Sequence, residues 1–218
     1  GHDNKKLGFG LMRLPMLENG EVDIVCGTHA ILQEDVEIPR LSFIVCDEQH
    51  RFGVAQRNAL AEKGQKICFM AEYFLPDVDV LRPLDCEYEL RILTGEDFAD
   101  LYLPEWSNAL CKERRHLDVL GVGAYDNGRL IGLAGCSADC DTMWQIGIDV
   151  LPEYRRQGIA SALTSRLAIE ILNRGKVPFY CAAWCNIKSV RNAIKSGFRP
   201  AWVEMTAKSC ETVDGMNQ

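Results

Sequence analysis

Ten consecutive residues constrain this chain more than any others: Leu151-Pro152-Glu153-Tyr154-Arg155-Arg156-Gln157-Gly158-Ile159-Ala160. They follow an apolar, strand-like run, MWQIGIDV (143–150), and open an amphipathic helical pattern that continues to about Arg174. A strand thus passes through a short turn into a long helix. The spacing Arg155-x-x-Gly158-x-Ala160 has a physical use, because Gly158 and the small Ala160 let successive backbone N–H groups approach an anion at the positive end of the helix. Arg155 and Arg156 can add charge. A glycine by itself is equally compatible with an ordinary helix start, so the surrounding pattern has to decide.

That pattern is regular from Glu89 onward. ELRIL reads as a short strand, and Thr94 followed by Gly95-Glu96-Asp97 reads as a helix N-cap with acids in the first turn. Helical patterns are expected through Phe98 to His116. VLGVGAYD and RLIGLAGCSA are two strands joined at Asn127-Gly128, the strongest short hairpin signal. After the long helix, VPFYCAAW reads as a buried strand ending at Trp184. Asn186-Ile187-Lys188-Ser189 then starts a helix that stops at Gly197, a residue suited to the left-handed exit. PAWVEMTAK is the final strand.

Arg155-x-x-Gly158-x-Ala160, Asn186-x-x-Ser189 and Lys195-Ser196-Gly197-Phe198, in this order, resemble the GNAT superfamily of N-acyltransferases over about 120 residues. The resemblance implies an α/β fold of the α+β mixed-sheet kind: a splayed mixed β-sheet flanked by helices, here behind an atypical N-terminal leader. It also implies acetyl-CoA as co-substrate, lying between the strand that ends at Val150 and the strand that ends at Trp184. Backbone groups of Ile148 and Val150 would pair with the pantetheine arm. The N–H groups of Arg156, Gln157, Gly158, Ile159 and Ala160 would hold the pyrophosphate, with Arg155 beside them. Asn186 and Ser189 would lie near the pantetheine, although Asn186 also reads as a simple helix cap.

Direct attack of an amine on a thioester needs a neutral amine, a stabilised oxyanion and a leaving thiolate. Deprotonating a lysine-like amine at pH 7 costs about 4.6 kcal/mol, so a base or a water relay is valuable. The glutamate that serves in many family members aligns with Gln145, which cannot accept the proton; Asp149 or Asp139 acting through water are the candidates. The family's proton-donating tyrosine aligns with Ala193. A thiol sits only about 1.5 units above neutral pH, so losing that donor costs about 2 kcal/mol. Cys185 and Ser189 are candidate substitutes, Cys185 reading first as a packed thiol, and a backbone N–H near Ile148 is the better candidate for the oxyanion.

The first 66 residues read differently. LGFGLMRLPM with the turn-like ENGE, within Leu7–Asp23, resembles the opening strand of aldo/keto reductases. Ile24–Lys66 resembles a piece of a branched-DNA repair helicase, in which the strand Leu41–Cys46 would deliver the acidic box Asp47-Glu48-Gln49-His50 to magnesium. No Gly-x-x-x-x-Gly-Lys-Ser/Thr loop accompanies that box, so it has no nucleotide to act on. The expected organisation is a fused leader over 1–66 without a function of its own, a linker or domain edge over 67–88, and the transferase over 89–218. VAQRNALAEKG within the leader is a helical pattern.

Composition narrows the function classes. A net charge of −7 argues against nucleic-acid partners. No run approaches the roughly 20 apolar residues of a membrane span, and no secretion signal is visible, so the expected place is the cytoplasm. There the ten cysteines stay reduced, and the pairs Cys136/Cys140 and Cys181/Cys185 lack metal-site spacing, so no metal is expected. From Cys68 onward, 21 Asp and Glu face 16 Lys and Arg, with many acids in Asp77–Asp141. That balance suits a solvated surface or a mouth that attracts a cation. The expected acceptor is a primary amine of a small cationic molecule, an aminoglycoside or polyamine first, with amino acids and protein lysines open. A non-catalytic acetyl-CoA-binding module is the alternative reading, and a homodimer is the one protein partner left open.

Overall fold

The computed structural model describes residues 44–46 and 64–216. Among these, the strands are β1 (Ile44–Cys46), β2 (Gln65–Pro76), β3 (Glu89–Thr94), β4 (Asp118–Asp126), β5 (Arg129–Ser137), β6 (Met143–Val150), β7 (Val177–Ala183) and β8 (Phe198–Ser209). The α-helices are α1 (Ile159–Asn173), α2 (Ile187–Lys195) and α3 (Cys210–Met216). The chain divides into two compact units: Ala71–Trp202, and residues up to Met70 together with Val203–Gln218. Residues 71–88, whose membership the sequence left open, thus fall in the first.

Within Ala71–Trp202 the strand order is β8-β2-β7-β6-β5-β4-β3. This is the expected mixed sheet with helices packed on it. β3 to β6 form an antiparallel meander, turned between β4 and β5 by Asn127 at φ 48° and Gly128 at φ 84°, the two left-handed residues a tight hairpin needs. β6 and β7 are parallel, and α1 crosses between them. Its apolar period buries Leu163, Leu167 and Ile171 completely, against a core that includes Phe74, Val122, Ile131 and Ile146. Each such side chain contributes about 2 kcal/mol by leaving water.

The helix expected from Phe98 to His116 does not form. Three short 3-10 turns stand there instead, Gly95–Phe98, Pro104–Trp106 and Lys112–Leu117. Pro104 holds Leu103 extended at ψ 157°, and Arg114 breaks the last turn at φ −131°, ψ 38°. What reads as helical periodicity is a series of separate anchors, since Phe98, Trp106, Ala109 and Leu110 insert into a second apolar cluster with Leu93 and Leu133. The Thr94 cap does form: Asp97 Oδ2 accepts from the Thr94 N–H at 2.7 Å and from its hydroxyl at 3.0 Å.

In the smaller unit β1 pairs antiparallel with β8, Ile44 opposite Met205 and Cys46 opposite Val203, so the expected strand Leu41–Cys46 is present over Ile44–Cys46. β8 outruns the expected PAWVEMTAK at both ends. Cys68 Sγ donates to the Thr206 carbonyl at 3.4 Å, and Lys66 pairs with Asp214 at 2.9 Å. The readings of Leu7–Asp23, of the box Asp47–His50 and of the helical pattern before Gly64 lie outside the described residues.

Two thiols on one sheet end differ sharply. Cys136 on β5 is 1% exposed, and burial pushes its thiol up to about 12. Cys140 is exposed, and hydrogen bonds from Thr142 and from the Met143 N–H at 3.2 Å hold it below the ordinary thiol value. A thiol reagent at pH 8 should therefore label Cys140 in the folded protein and Cys136 only on unfolding, as peptide mapping would show. Below about pH 9 both folded and unfolded forms keep the Cys136 proton; between there and about 12 only the folded form does. Its contribution to stability is accordingly lost as pH rises through that window.

Candidate functional site

β6 and β7 hold together only from Met143↔Val177 to Ile146↔Tyr180. Beyond that point Gly147–Val150 pair outward with β5, and Cys181–Ala183 pair outward with β2. The two strand ends part and leave a fork, with facing backbone groups unclaimed by either partner strand. Ile148 and Val150 lie on one arm of it. The Val150 carbonyl, however, accepts from Arg155 Nε at 3.0 Å, so Arg155 folds back onto the strand end.

The turn after β6 begins with a 3-10 turn at Pro152–Tyr154 and then takes Arg156 to φ 68° and Gly158 to φ 84°. Left-handed residues on either side of Gln157 turn the backbone of a short loop, the kind of turn in which neighbouring N–H groups can gather round an anion. Gly158 is the N-cap of α1 and supplies no side chain to cap it, and the first turn carries no acid. Among the described residues, the N–H groups of Arg156, Gln157, Gly158, Ile159 and Ala160 meet no backbone acceptor. They remain as donors beside the positive end of a 15-residue helix.

Two side chains near the turn escaped the sequence reading. Lys195 Nζ lies 4.0 Å from where a Cβ on Gly158 would stand, adding a positive charge at the helix mouth. At the end of α2 it figures in the sequence as part of the Lys195-Ser196-Gly197-Phe198 pattern, with no role toward the coenzyme assigned to it. Tyr88 donates to Gln157 Oε1 at 2.7 Å and fixes that side chain. A cavity of about 390 Å³ is lined there by Gln157, Asp85, Cys86 and Glu87. Two carboxylates disfavour a phosphate in that cavity, so the side facing Lys195 is the one suited to an anion.

On β7 and α2, Asn186 Oδ1 accepts from the Ser189 N–H at 3.2 Å and caps the helix. Ser189 Oγ lies 2.8 Å from the hydroxyl of Tyr180, the last β7 residue before the fork. Burial holds the Tyr180 phenol above its ordinary value, against hydrogen bonds from Ser189 and Asn192. Ala193 is fully buried in the same core cluster. Cys185 is exposed in the turn between β7 and α2, where the Asn186 N–H bonds the Ala183 carbonyl.

The other face of β6 carries Gln145, Gly147 and Asp149. Gln145 stands opposite Ser137 on β5 and beside Phe179 on β7. Asp149 accepts three hydrogen bonds, from the Asn108 and Ala109 N–H groups at 2.8 and 3.0 Å and from Asn108 Nδ2 at 2.7 Å. Its carboxylate thereby ties the segment after Pro104 to the sheet. Asp139 is ion-paired with Arg114. The catalytic candidates are thus divided: Asp149 and Gln145 on one face of β6, Ser189 and Cys185 on the side of α2. No group of three or more His, Cys, Asp or Glu side chains is placed to hold a metal ion among the described residues.

The family model of GNAT acetyltransferases matches residues 47–201. The chain belongs to the GNAT acetyltransferase family. Family and fold make it an acyltransferase, and acetyl transfer is the chemistry the family carries. The match begins inside the stretch read as a leader. Among solved structures, the chain is similar to an acetyltransferase from the GNAT family of Colwellia psychrerythraea, 16% identical, covering 82% of this chain and 70% of that one at a TM-score of 0.55. It is also similar to a GCN5-related N-acetyltransferase from Kribbella flavida, 17% identical over 77% and 67%, at 0.52. At such identities the likeness concerns the GNAT fold alone.

A separate likeness joins the chain to ATP-dependent DNA helicase RecG. The Thermotoga maritima helicase is 55% identical over 51 residues, 23% of this chain, and the Bacillus subtilis helicase is 49% identical over 65 residues, 29% of this chain. The chain spans only 6% and 10% of those relatives' lengths. The aldo/keto reductase resemblance finds no such support. Among the described residues, no helix is long and apolar enough to cross a membrane.

Proposed function

We propose that this acyltransferase moves the acetyl group of acetyl-CoA to a primary amine of a small cationic molecule in the cytoplasm, an aminoglycoside or polyamine being the first to try. The observation that carries the coenzyme half is the uncapped start of α1 beside the fork of β6 and β7. The donors of Arg156 to Ala160, with Lys195, suit a pyrophosphate, and the open strand edges at Ile148 and Val150 suit the amide-bearing pantetheine arm. A side chain on Gly158 would stand where the phosphates approach. When bound, the coenzyme supplies the thioester on which the amine acts. The chain's residues hold it and shape its surroundings.

Support for a cationic acceptor is electrostatic. The exposed acids Glu96, Asp100, Glu105 and Glu113 belong to the segment that Asp149 ties to the sheet or to its flanks, and they favour approach of a positive molecule. Gln145 on the same face can orient an amine by hydrogen bonding, while solvent carries its proton away.

The test is release of coenzyme thiol from acetyl-CoA with a panel of amines: aminoglycosides, polyamines, amino acids and a lysine peptide. Turnover with the polycations, faster at low than at high salt, is expected. Calorimetric coenzyme binding without thiol release from any of them would sink the proposal and leave a binding module.

A further inference from the structure

α2 is turned inside out. Besides the fully buried Ala193, the side chains it presents inward are polar: Asn192 Nδ2 donates to Thr164 Oγ1 at 3.0 Å, and Ser189 Oγ meets the Tyr180 hydroxyl at 2.8 Å. Its outer face carries the apolar residues. Ile187, Arg191 and Ile194 follow at i, i+4 and i+7, with Ile187 55% and Ile194 54% exposed. A surface helix ordinarily has the opposite arrangement.

The exit of α2 adds a second apolar pair. The Gly197 carbonyl accepts from the Asp77 N–H at 2.9 Å, which seats the turn after β2 against the end of the helix. In that turn Val78 is 71% exposed and Val80 55%. Nine large apolar side chains are exposed among the described residues, and four of them thus belong to one strip. Such clustering marks an interaction surface.

Charge divides the strip in two. From Trp184 to Trp202 stand Lys188, Arg191, Lys195 and Arg199 without an acid, in a chain of net charge −7. The turn supplies Asp77 and Asp79, and the neighbouring Arg82 donates to the carbonyls of Asp79 and Leu81 and not to a carboxylate. Among the described residues, Lys188 and Arg191 form no ion pair, and neither do Asp77 and Asp79.

An apolar strip that is basic at one end and acidic at the other complements itself under two-fold rotation. We propose that this strip is the interface of a homodimer, in which the Asp77–Val80 turn of one copy lies against α2 of the other, and the reverse. Arg191 of each copy then meets Asp79 of its mate, while Val78 and Val80 cover Ile187 and Ile194. Packing α2 on α2 would instead set cation against cation. An acidic protein or an anionic membrane would answer the helix but be repelled by the turn. A second copy answers both.

Sedimentation equilibrium of the full chain tests this. At about 10–100 µM the wild type should run at twice 24.5 kDa, shifting toward 24.5 kDa as salt rises. Arg191→Glu and Asp79→Lys should each weaken the dimer about tenfold or more, by placing like charges face to face. Ile194→Ser should weaken it about tenfold without any change of charge. Mixed in equal amounts, the Arg191→Glu and Asp79→Lys proteins should dimerise as the wild type does, because each substituted side chain finds its opposite on the other copy. A wild type that stays at 24.5 kDa over that range, whether or not it sediments with anionic vesicles, would overturn the proposal. So would a dimer indifferent to all three substitutions, or a mixture of the two charge variants that remains monomeric.

Discussion

Gly147→Ala should abolish transferase activity and lower the melting temperature by roughly 6–12 °C, taking about 3 kcal/mol of strain and 2–4 °C per kcal/mol for a chain of this size. A Cβ on Gly147 would stand 1.8 Å from the Asn108 carbonyl oxygen, and the neighbouring Gly135 is as closely covered by the Ala109 carbonyl, at 2.1 Å. Both obstacles are backbone, so no side-chain rotation relieves them. The segment must lift, and lifting it breaks the three bonds to Asp149 and exposes Trp106 and Leu110, each 4% accessible. Gly95→Ala is the control, its nearest neighbour being the Asp118 carbonyl at an ordinary 3.5 Å. Thermal melting of the two variants decides the matter: a Gly147→Ala protein that melts with the control would show that the segment is not seated as described. Asp149→Asn separates support from chemistry, because a fall in turnover without a fall in melting temperature would assign the carboxylate to the reaction.

Gly158→Val should weaken coenzyme A binding by about ten- to a hundredfold while costing the fold only about 1–2 kcal/mol. At φ 84° a β-branched residue is strained, yet no atom lies closer to the added Cβ than Lys195 Nζ at 4.0 Å. The core is therefore undisturbed. What the valine obstructs is the approach of an anion to the N–H groups of Arg156 to Ala160. Pantetheine, which carries no phosphate, distinguishes this from general damage: its affinity should be the same in variant and wild type. Equal losses for pantetheine and coenzyme A would refute the placement of the pyrophosphate.

The turn and helix at 151–174 were legible in the sequence because every determinant is local: a glycine, a small residue, a 3.6-residue period. The hairpin at Asn127-Gly128 was legible for the same reason. The 95–117 segment was not, since its apolar spacing reflects four insertions into a cluster completed by Leu93 and Leu133 on other strands. β2 passed unnoticed because FMAEYFLP has no alternating polar face to mark it as a strand and pairs with β7 more than a hundred positions away. Asp149 shows the limit most clearly. An aspartate ending a strand beside a proposed cleft reads as a base, and its three donors lie some forty residues earlier. Tyr180 alternates with apolar neighbours and reads as core; its hydroxyl partner Ser189 on α2 emerges only in three dimensions.

The attachment of the 104–110 segment through Gly135, Gly147 and Asp149 separates two kinds of evolutionary freedom. Every contact that seats it is made by backbone atoms or inward side chains, whereas Leu103, Glu105 and Ser107 face solvent. Those three positions can exchange residues without loosening the anchor or reaching the turn at Gly158. Under the proposed function, a library randomised there should change acceptor preference and leave coenzyme A affinity as in the wild type, which calorimetry would check.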